Sequence, residues 1–429
     1  MVYSVDIYSQ FLGVSIILIL AAFAIPISRK ISVVDLPVLI VLGFLFGPIL
    51  GIINHQFAIG LLSNDFAVGV GILGIVIILY SESHTINFRI ISREAIRIVT
   101  LDTLGLMITA LGAAAIFTLI TGAPLYIGFL FGAIISPTDP ASLVPVFRKV
   151  RVQEEISGIL VGESLFNDPL GILLVSLGIA IVVPYAAYVS FFSTLTSFAG
   201  VIIGPALYML IQISVPAALG IAVGFVVIYL NRIFNFDNLL VGFLLGMVIL
   251  EFTLMDGAGL TPFPAIIATG AIVGNYSDKS IFWEREANFQ QSLAVLARAI
   301  IFILLGGILT LNEMFTYLVP GLVLAGAVML LARPAGVFTS LGLVSKIPSR
   351  FKIDRKTMAF MGLVGPRGAV SIVMSLVPYT IGLEYQNAQL IHWGQMIYVT
   401  VSYVVILSII LQTVYAPWLA RKLLKPIQI

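Results

Sequence analysis

Residues 136–140 read Ser136-Pro137-Thr138-Asp139-Pro140, and residues 163–169 read Glu163-Ser164-Leu165-Phe166-Asn167-Asp168-Pro169, each inside an otherwise apolar segment. A charge at the centre of a bilayer costs about 2.5–3.5 kcal/mol on the lenient insertion scale. Three carboxyls in two neighbouring segments therefore face protein or a water-filled space rather than lipid, and they mark a path for ions or protons. The prolines flanking Thr138-Asp139 act on the backbone as well: each lacks an N–H and crowds the preceding turn, so the helix opens there. Unpaired N–H and C=O groups at membrane depth are tolerated where they line a cavity or a site.

The rest of the chain fits a polytopic membrane protein. Of its 429 residues 60% are hydrophobic and 10% charged, against a charged fraction of about 25% in soluble domains. Cysteine is absent, which excludes a disulfide framework, a thiol nucleophile and an iron–sulfur ligand set. His55, His84 and His392 are scattered without metal-ligand spacing. No Gly-x-Ser-x-Gly or His-Glu-x-x-His occurs, so neither a hydrolase nor any other enzyme is expected. No cofactor and no nucleic-acid partner is expected either.

Apolar blocks lie at 8–27, 34–53, 66–82, 98–120, 124–146, 156–183, 199–230, 238–256, 260–275, 290–310, 315–342, 357–382 and 394–419, an all-α array of thirteen spans by length. Of the 22 basic residues, only Arg298, Arg333 and Arg367 fall inside spans. The others sit in alternate connections: Arg29 and Lys30; Arg89, Arg93 and Arg97; Arg148, Lys149 and Arg151; Arg232; Lys279 and Arg285; Lys346 to Lys356; and Arg421 to Lys425. The positive-inside rule makes those connections cytoplasmic, with the N-terminus outside and the C-terminus inside a cell membrane. No basic residue precedes Arg29, so the first block reads as a span rather than a cleavable signal.

Thirteen spans divide into six, one and six. An offset of seven turns each later span upside down relative to its counterpart, which is inverted-repeat geometry. The whole of 1–429 then forms one transporter unit, with residues 1–183 as the first repeat, 199–230 as a linking helix and 238–429 as the second repeat. The fifth span holds Thr138-Asp139, and the twelfth holds Gly365-Pro366-Arg367-Gly368. Two broken helices crossing at mid-depth bring like-signed half-helix ends together. Asp139 has the sign to offset the positive ends, and Arg367 the negative ends.

On the sixth span Glu163 and Asn167 share one helical face, and Ser164 and Asp168 the adjacent one. Asp168, the Ser164 hydroxyl and opened carbonyls near Thr138 make a wedge of hard oxygen donors suited to a partly dehydrated sodium ion. Burial penalises a bare carboxylate, so Asp168 prefers to hold either a proton or a cation. That competition alone yields exchange, if only the loaded site can reorient. Glu163 is open to two readings, a ligand or a structural ion pair with Arg367 or Arg298. Asn167 orients its neighbours but carries no proton, which makes one proton per monovalent cation the simpler stoichiometry. Glu82 reads as lining an inner entrance or as a solvated helix end. Asp102 reads as a helix-dipole residue at the start of the fourth span, Glu251 as interfacial, and Arg333 as snorkelling.

At these residues the chain resembles the archaeal and bacterial NhaP-type sodium/proton antiporters of the monovalent cation/proton antiporter superfamily. The carriers are Ser136 to Ala141, Gly162 to Gly171, Leu296-Ala297-Arg298 and Gly365 to Gly368. The resemblance implies an NhaA-like antiporter fold of thirteen helices, built as a homodimer with a six-helix core that moves like an elevator. It implies that the Thr138 carbonyl, Ser164 and Asp168 bind the ion with Glu82 and Asp139 nearby, that Asn167 marks the electroneutral form, and that Glu163 and Arg367 pair. Regulation by a long cytosolic tail is not expected. Potassium/proton antiport and a cation channel are the competing functions.

Overall fold

The computed structural model describes residues 5–31, 35–62, 70–86, 88–139, 143, 144, 147, 150–183, 189–278, 280–346 and 352–424. Among these, every regular element is a helix. Composition demands this: without water to satisfy backbone polar groups, a span must hydrogen-bond to itself. Eight helices are long and apolar enough to cross a bilayer unaided, lying at 11–30, 88–121, 154–182, 203–234, 237–257, 281–308, 318–344 and 388–423. Asp35–Ile49, Val70–His84, Leu125–Ile135, Phe263–Tyr276 and Ala369–Glu384 are shorter apolar helices. Every apolar block of the sequence holds one or other of these. The start of the block at 66–82, Pro140 with Ala141, and the basic residues Arg148, Lys149, Lys279, Arg350 and Lys425 lie outside the described residues.

Several boundaries differ from the apolar blocks, for one physical reason. The fourth span begins at Phe88 rather than 98, and the tenth at Ile281 rather than 290, so the polar stretch around 276–291 is largely helix. These first turns are amphipathic: Glu94 and Arg97 in one, and Glu286 and Gln290 in the other, are buried and conceal the span from a hydropathy reading. The seventh block begins where the Val189–Phe234 helix breaks, at Gly200 with φ +83°.

Packing separates enclosed helices from peripheral ones. The most apolar stretch of Glu154–Val182 is 78% buried, whereas that of Asp237–Gly257 is 22% buried. Leu125–Ile135 packs on Leu106–Thr121 and Glu154–Val182, Ala369–Glu384 on Ala388–Leu423, and Ile281–Ile308 on Asp35–Phe44 and Val70–His84. Small residues permit the close approaches: a Cβ on Gly132 would strike the Ala110 carbonyl, and one on Gly43 the Ile303 carbonyl. Three π turns interrupt the helices, at Leu45–Ile49, Leu101–Gly105 and Val328–Ala332. Each widens the helix by one residue per turn, a feature common at functional positions.

Ahead of the second break, Asp354 caps the Arg355–Leu363 helix, accepting a bond from the Thr357 amide at 3.4 Å. Partial burial works to raise its pKa, but the Thr357 and backbone hydrogen bonds prevail and hold it below the usual carboxylate range. A depressed folded-state value means that the cap stabilises above the unfolded pKa and is lost as pH falls through the folded one. Asp354→Ala is expected to cost about 1 kcal/mol. Thermal unfolding in detergent at neutral pH should register the loss, and the difference from wild type should vanish in acid.

Candidate ion site at the crossing of two broken helices

The helix Leu125–Ile135 ends ahead of Pro137, and residues 136–139 continue as irregular chain. The helix Arg355–Leu363 ends likewise; Val364 to Gly368 run irregularly before Ala369–Glu384 begins. The two irregular stretches cross and bond to each other. The Asp139 amide donates to the Pro366 carbonyl at 2.7 Å, and the Ser371 hydroxyl donates to the Ile134 carbonyl at 2.8 Å. The last helix completes the backbone satisfaction: Gln412 Oε1 accepts from the Gly365 amide at 2.8 Å, and Ser408 Oγ accepts from the Arg367 amide at 3.1 Å.

Charge is arranged as dipole physics asks. Arg367, 1% exposed, donates through Nη1 to the Ser136 and Pro137 carbonyls at 2.9 and 3.0 Å, at the negative end of Leu125–Ile135. Asp139 lies against Gly368, at the positive start of Ala369–Glu384; a Cβ built on Gly368 would come 2.7 Å from Asp139 Oδ2. Only glycine admits that approach.

Beside the crossing runs Glu154–Val182, continuous through Pro169. Pro169 has no N–H, so the Leu165 carbonyl one turn back loses its intrahelical donor. Gly171 lets the Pro137 ring rest against this helix. Asn167 Nδ2 donates to the Thr138 hydroxyl at 3.0 Å, tying the helix to the first break. Asp168, 8% exposed, and Ser164, one turn earlier, are both buried and engaged by no hydrogen bond or ion pair among the described residues. The charges acting most on Asp168 are Glu82, Asp139 and Arg298, so the crossing gathers them around one carboxylate. Among the described residues no group of three or more His, Cys, Asp or Glu assembles as a metal centre. The buried oxygens at this place are one carboxylate with hydroxyls and backbone carbonyls, a hard donor set.

The ion pairs depart from the sequence reading. Glu163, 1% exposed, binds Arg333 rather than Arg367 or Arg298, through a two-pronged contact whose Nη2–Oε2 arm is 2.8 Å. Arg333 does not snorkel; its side chain is buried. Arg367 is occupied by carbonyls, and Arg298 pairs with Glu82, which is therefore neither a free helix end nor remote from the crossing. Asp102 is not at a helix start but inside a π turn of the continuous 88–121 span. Glu251 is buried, not interfacial, and accepts the Thr269 hydroxyl at 2.9 Å. Glu286, His84 and Tyr80 gather nearby: His84 Nε2 is 3.7 Å from Glu286 Oε2, and the Tyr80 and His84 rings lie 6.2 Å apart.

Sequence reasoning did not single out Ser408, Gln412 or Glu286. The first two left a signal, polar groups four apart on one face of an otherwise apolar span; Glu286 left none beyond its charge.

Interrupted helices crossing beside a buried carboxylate define a secondary transporter. The chain belongs to the family described as sodium/hydrogen exchanger, transmembrane, which it matches over residues 16–422. It is 30% identical over 430 residues to Na(+)/H(+) antiporter 1 of Methanocaldococcus jannaschii, covering 95% of this chain and 94% of that protein. It is 27% identical to the K(+)/H(+) antiporter NhaP of Alkalimonas amylolytica, covering 94% of this chain and 64% of that one. Its fold matches the solved structure of the sodium proton antiporter MjNhaP1 from M. jannaschii at pH 8 with a TM-score of 0.81 and 28% identity, over 96% of this chain and 97% of that one.

Proposed function

We propose that this chain exchanges sodium or lithium for protons across the cell membrane, one for one, by alternating access of a single carboxylate, Asp168. The observation that carries the reading is the unengaged pair of Asp168 and Ser164, buried beside two bonded, broken helices. Asp168 holds the proton or the cation; Ser164, the Thr138 carbonyl and the Leu165 carbonyl released by Pro169 complete the cation's oxygen shell. Asp139 and Glu82 shape the field around it, Asn167 fixes the helix to the break, and the Glu163–Arg333 and Glu82–Arg298 pairs with Arg367 hold the frame. An empty, charged site is too costly to carry through a dry core, so only the loaded states reorient. In this reading the chain has thirteen spans in two inverted repeats, 1–183 and 238–429, joined through 199–230, with its N-terminus outside and its C-terminus cytoplasmic, and it works as a homodimer.

Proteoliposomes with an imposed pH gradient test the function. Sodium and lithium are expected to dissipate the gradient, and the reversal point is expected to be independent of membrane potential. A reversal point that moves with potential excludes one-for-one exchange. Potassium/proton exchange is the second reading, favoured by the likeness to the Alkalimonas antiporter; dissipation by potassium and not by sodium would establish it.

A further inference from the structure

Asp102 sits in the π turn Leu101–Gly105 and is 3% exposed. Both of its carboxyl oxygens lack a hydrogen-bond partner among the described residues. The turn packs directly against Arg333–Val344 and against Glu154–Val182. The approach to the first is close to backbone contact: a Cβ on Gly336 would lie 2.5 Å from the Gly105 carbonyl oxygen. Arg333 begins that helix, immediately after the π turn Val328–Ala332. Its terminal nitrogens engage Glu163, but its Nε–H, also buried, is unspent among the described residues. After burial itself, the influences on Asp102 are Glu163, Arg333 and Asp168. Of the other charges on its own helix, Arg89 and Arg93 lie in the first two turns with Arg93 3.6 Å from Glu94, and Glu94 and Arg97 are bound to each other, Arg97 also to Glu155.

Asp102, Glu163 and Arg333 are held away from water, with Asp168 also in range and Arg367 beyond them spent on the Ser136 and Pro137 carbonyls. Glu163 and Arg333 balance. A bare Asp102 beside them would be an uncompensated buried charge with no donor on either oxygen, a state that a carboxyl escapes by taking a proton. We propose that Asp102 is a proton-holding residue of the core and the reserve partner of Arg333. It is a neutral acid as long as Arg333 is engaged by Glu163, and it becomes the guanidinium's partner when that engagement is lost. Where the Glu163 charge is removed, as in Glu163→Gln, the Asp102 proton goes to solvent and the guanidinium compensates the carboxylate left behind. This deepens the exchange reading by giving the core a second proton position, and it depends on that reading only for its consequence in transport.

Infrared difference spectra of the purified full-length protein test it. Wild type minus Asp102→Asn is expected to show one protonated-carboxyl carbonyl band at neutral pH. Glu163→Gln is expected to lack the same band, because Asp102 ionises to face Arg333. Absence of any band lost in Asp102→Asn, or persistence of the Asp102 band in Glu163→Gln, overturns the proposal. Should Glu163→Gln not fold, Arg333→Met serves: the Asp102 band is expected to persist, because no guanidinium is left to take the place of its proton, and its loss overturns the proposal. Should Asp102→Asn not fold, wild type labelled with carbon-13 at aspartate carboxyls is expected to show a shifted acid band that survives Asp168→Asn, and its absence overturns the proposal. These readings stand whether or not the proteoliposomes exchange ions.

Discussion

Asp168→Asn is expected to abolish cation-driven proton flux in proteoliposomes to the level of protein-free vesicles while the protein remains folded. The substitution keeps shape and removes both the charge that draws a cation and the oxygen that takes a proton. Because Asp168 is buried without a hydrogen bond or ion pair among the described residues, its removal strips no partner of its bond. An unpaired buried charge is costly to keep in a dry core, so its replacement by a neutral amide of like size should leave the melting temperature unchanged or higher. Loss of flux together with retained stability assigns the residue to transport. Flux surviving in Asp168→Asn would place the carrier elsewhere.

Arg367→Met is expected to damage the frame itself. The guanidinium supplies a donor to each of two carbonyls at the end of Leu125–Ile135 and a positive charge facing that helix's negative end. Each carbonyl left bare in a dry core costs about 1–3 kcal/mol, so the two together are expected to cost about 2–6 kcal/mol. The readout is a lowered melting temperature and reduced folded yield in detergent. Arg367→Lys should recover only part, because an ammonium on a flexible stem lacks the planar guanidinium's fixed spread of donors. An unshifted melting curve for Arg367→Met would mean that the crossing satisfies those carbonyls by other means.

Much of the architecture was legible because lipid constrains it so tightly. Long apolar blocks leave few alternatives to a helical array, and the crossing of residues 136–139 with 364–368 followed from the proline breaks in two of them. Boundaries were less legible wherever a first turn is amphipathic, as at Phe88 and Ile281. The pairing of charges was the least so. Glu163 and Arg333 stand 170 positions apart, and nothing local distinguishes Arg333 from Arg298 or Arg367 as its partner; only tertiary packing selects among three arginines that all need compensation. The Asn167–Thr138 bond was legible as a role, an orienting amide, but not as a contact.

The polar contacts described above sort into two sets of helices. One knits the crossing: Asp139 with Pro366, Arg367 with Ser136 and Pro137, Asn167 with Thr138, Glu163 with Arg333, and Ser408 and Gln412 with the second break. The other joins Glu82 to Arg298, Thr269 to Glu251, and His84 to Glu286. None of the bonds named here fastens a member of the first set to the second. In the alternating access proposed above, the two broken strands, bonded to each other, are therefore expected to move as one piece.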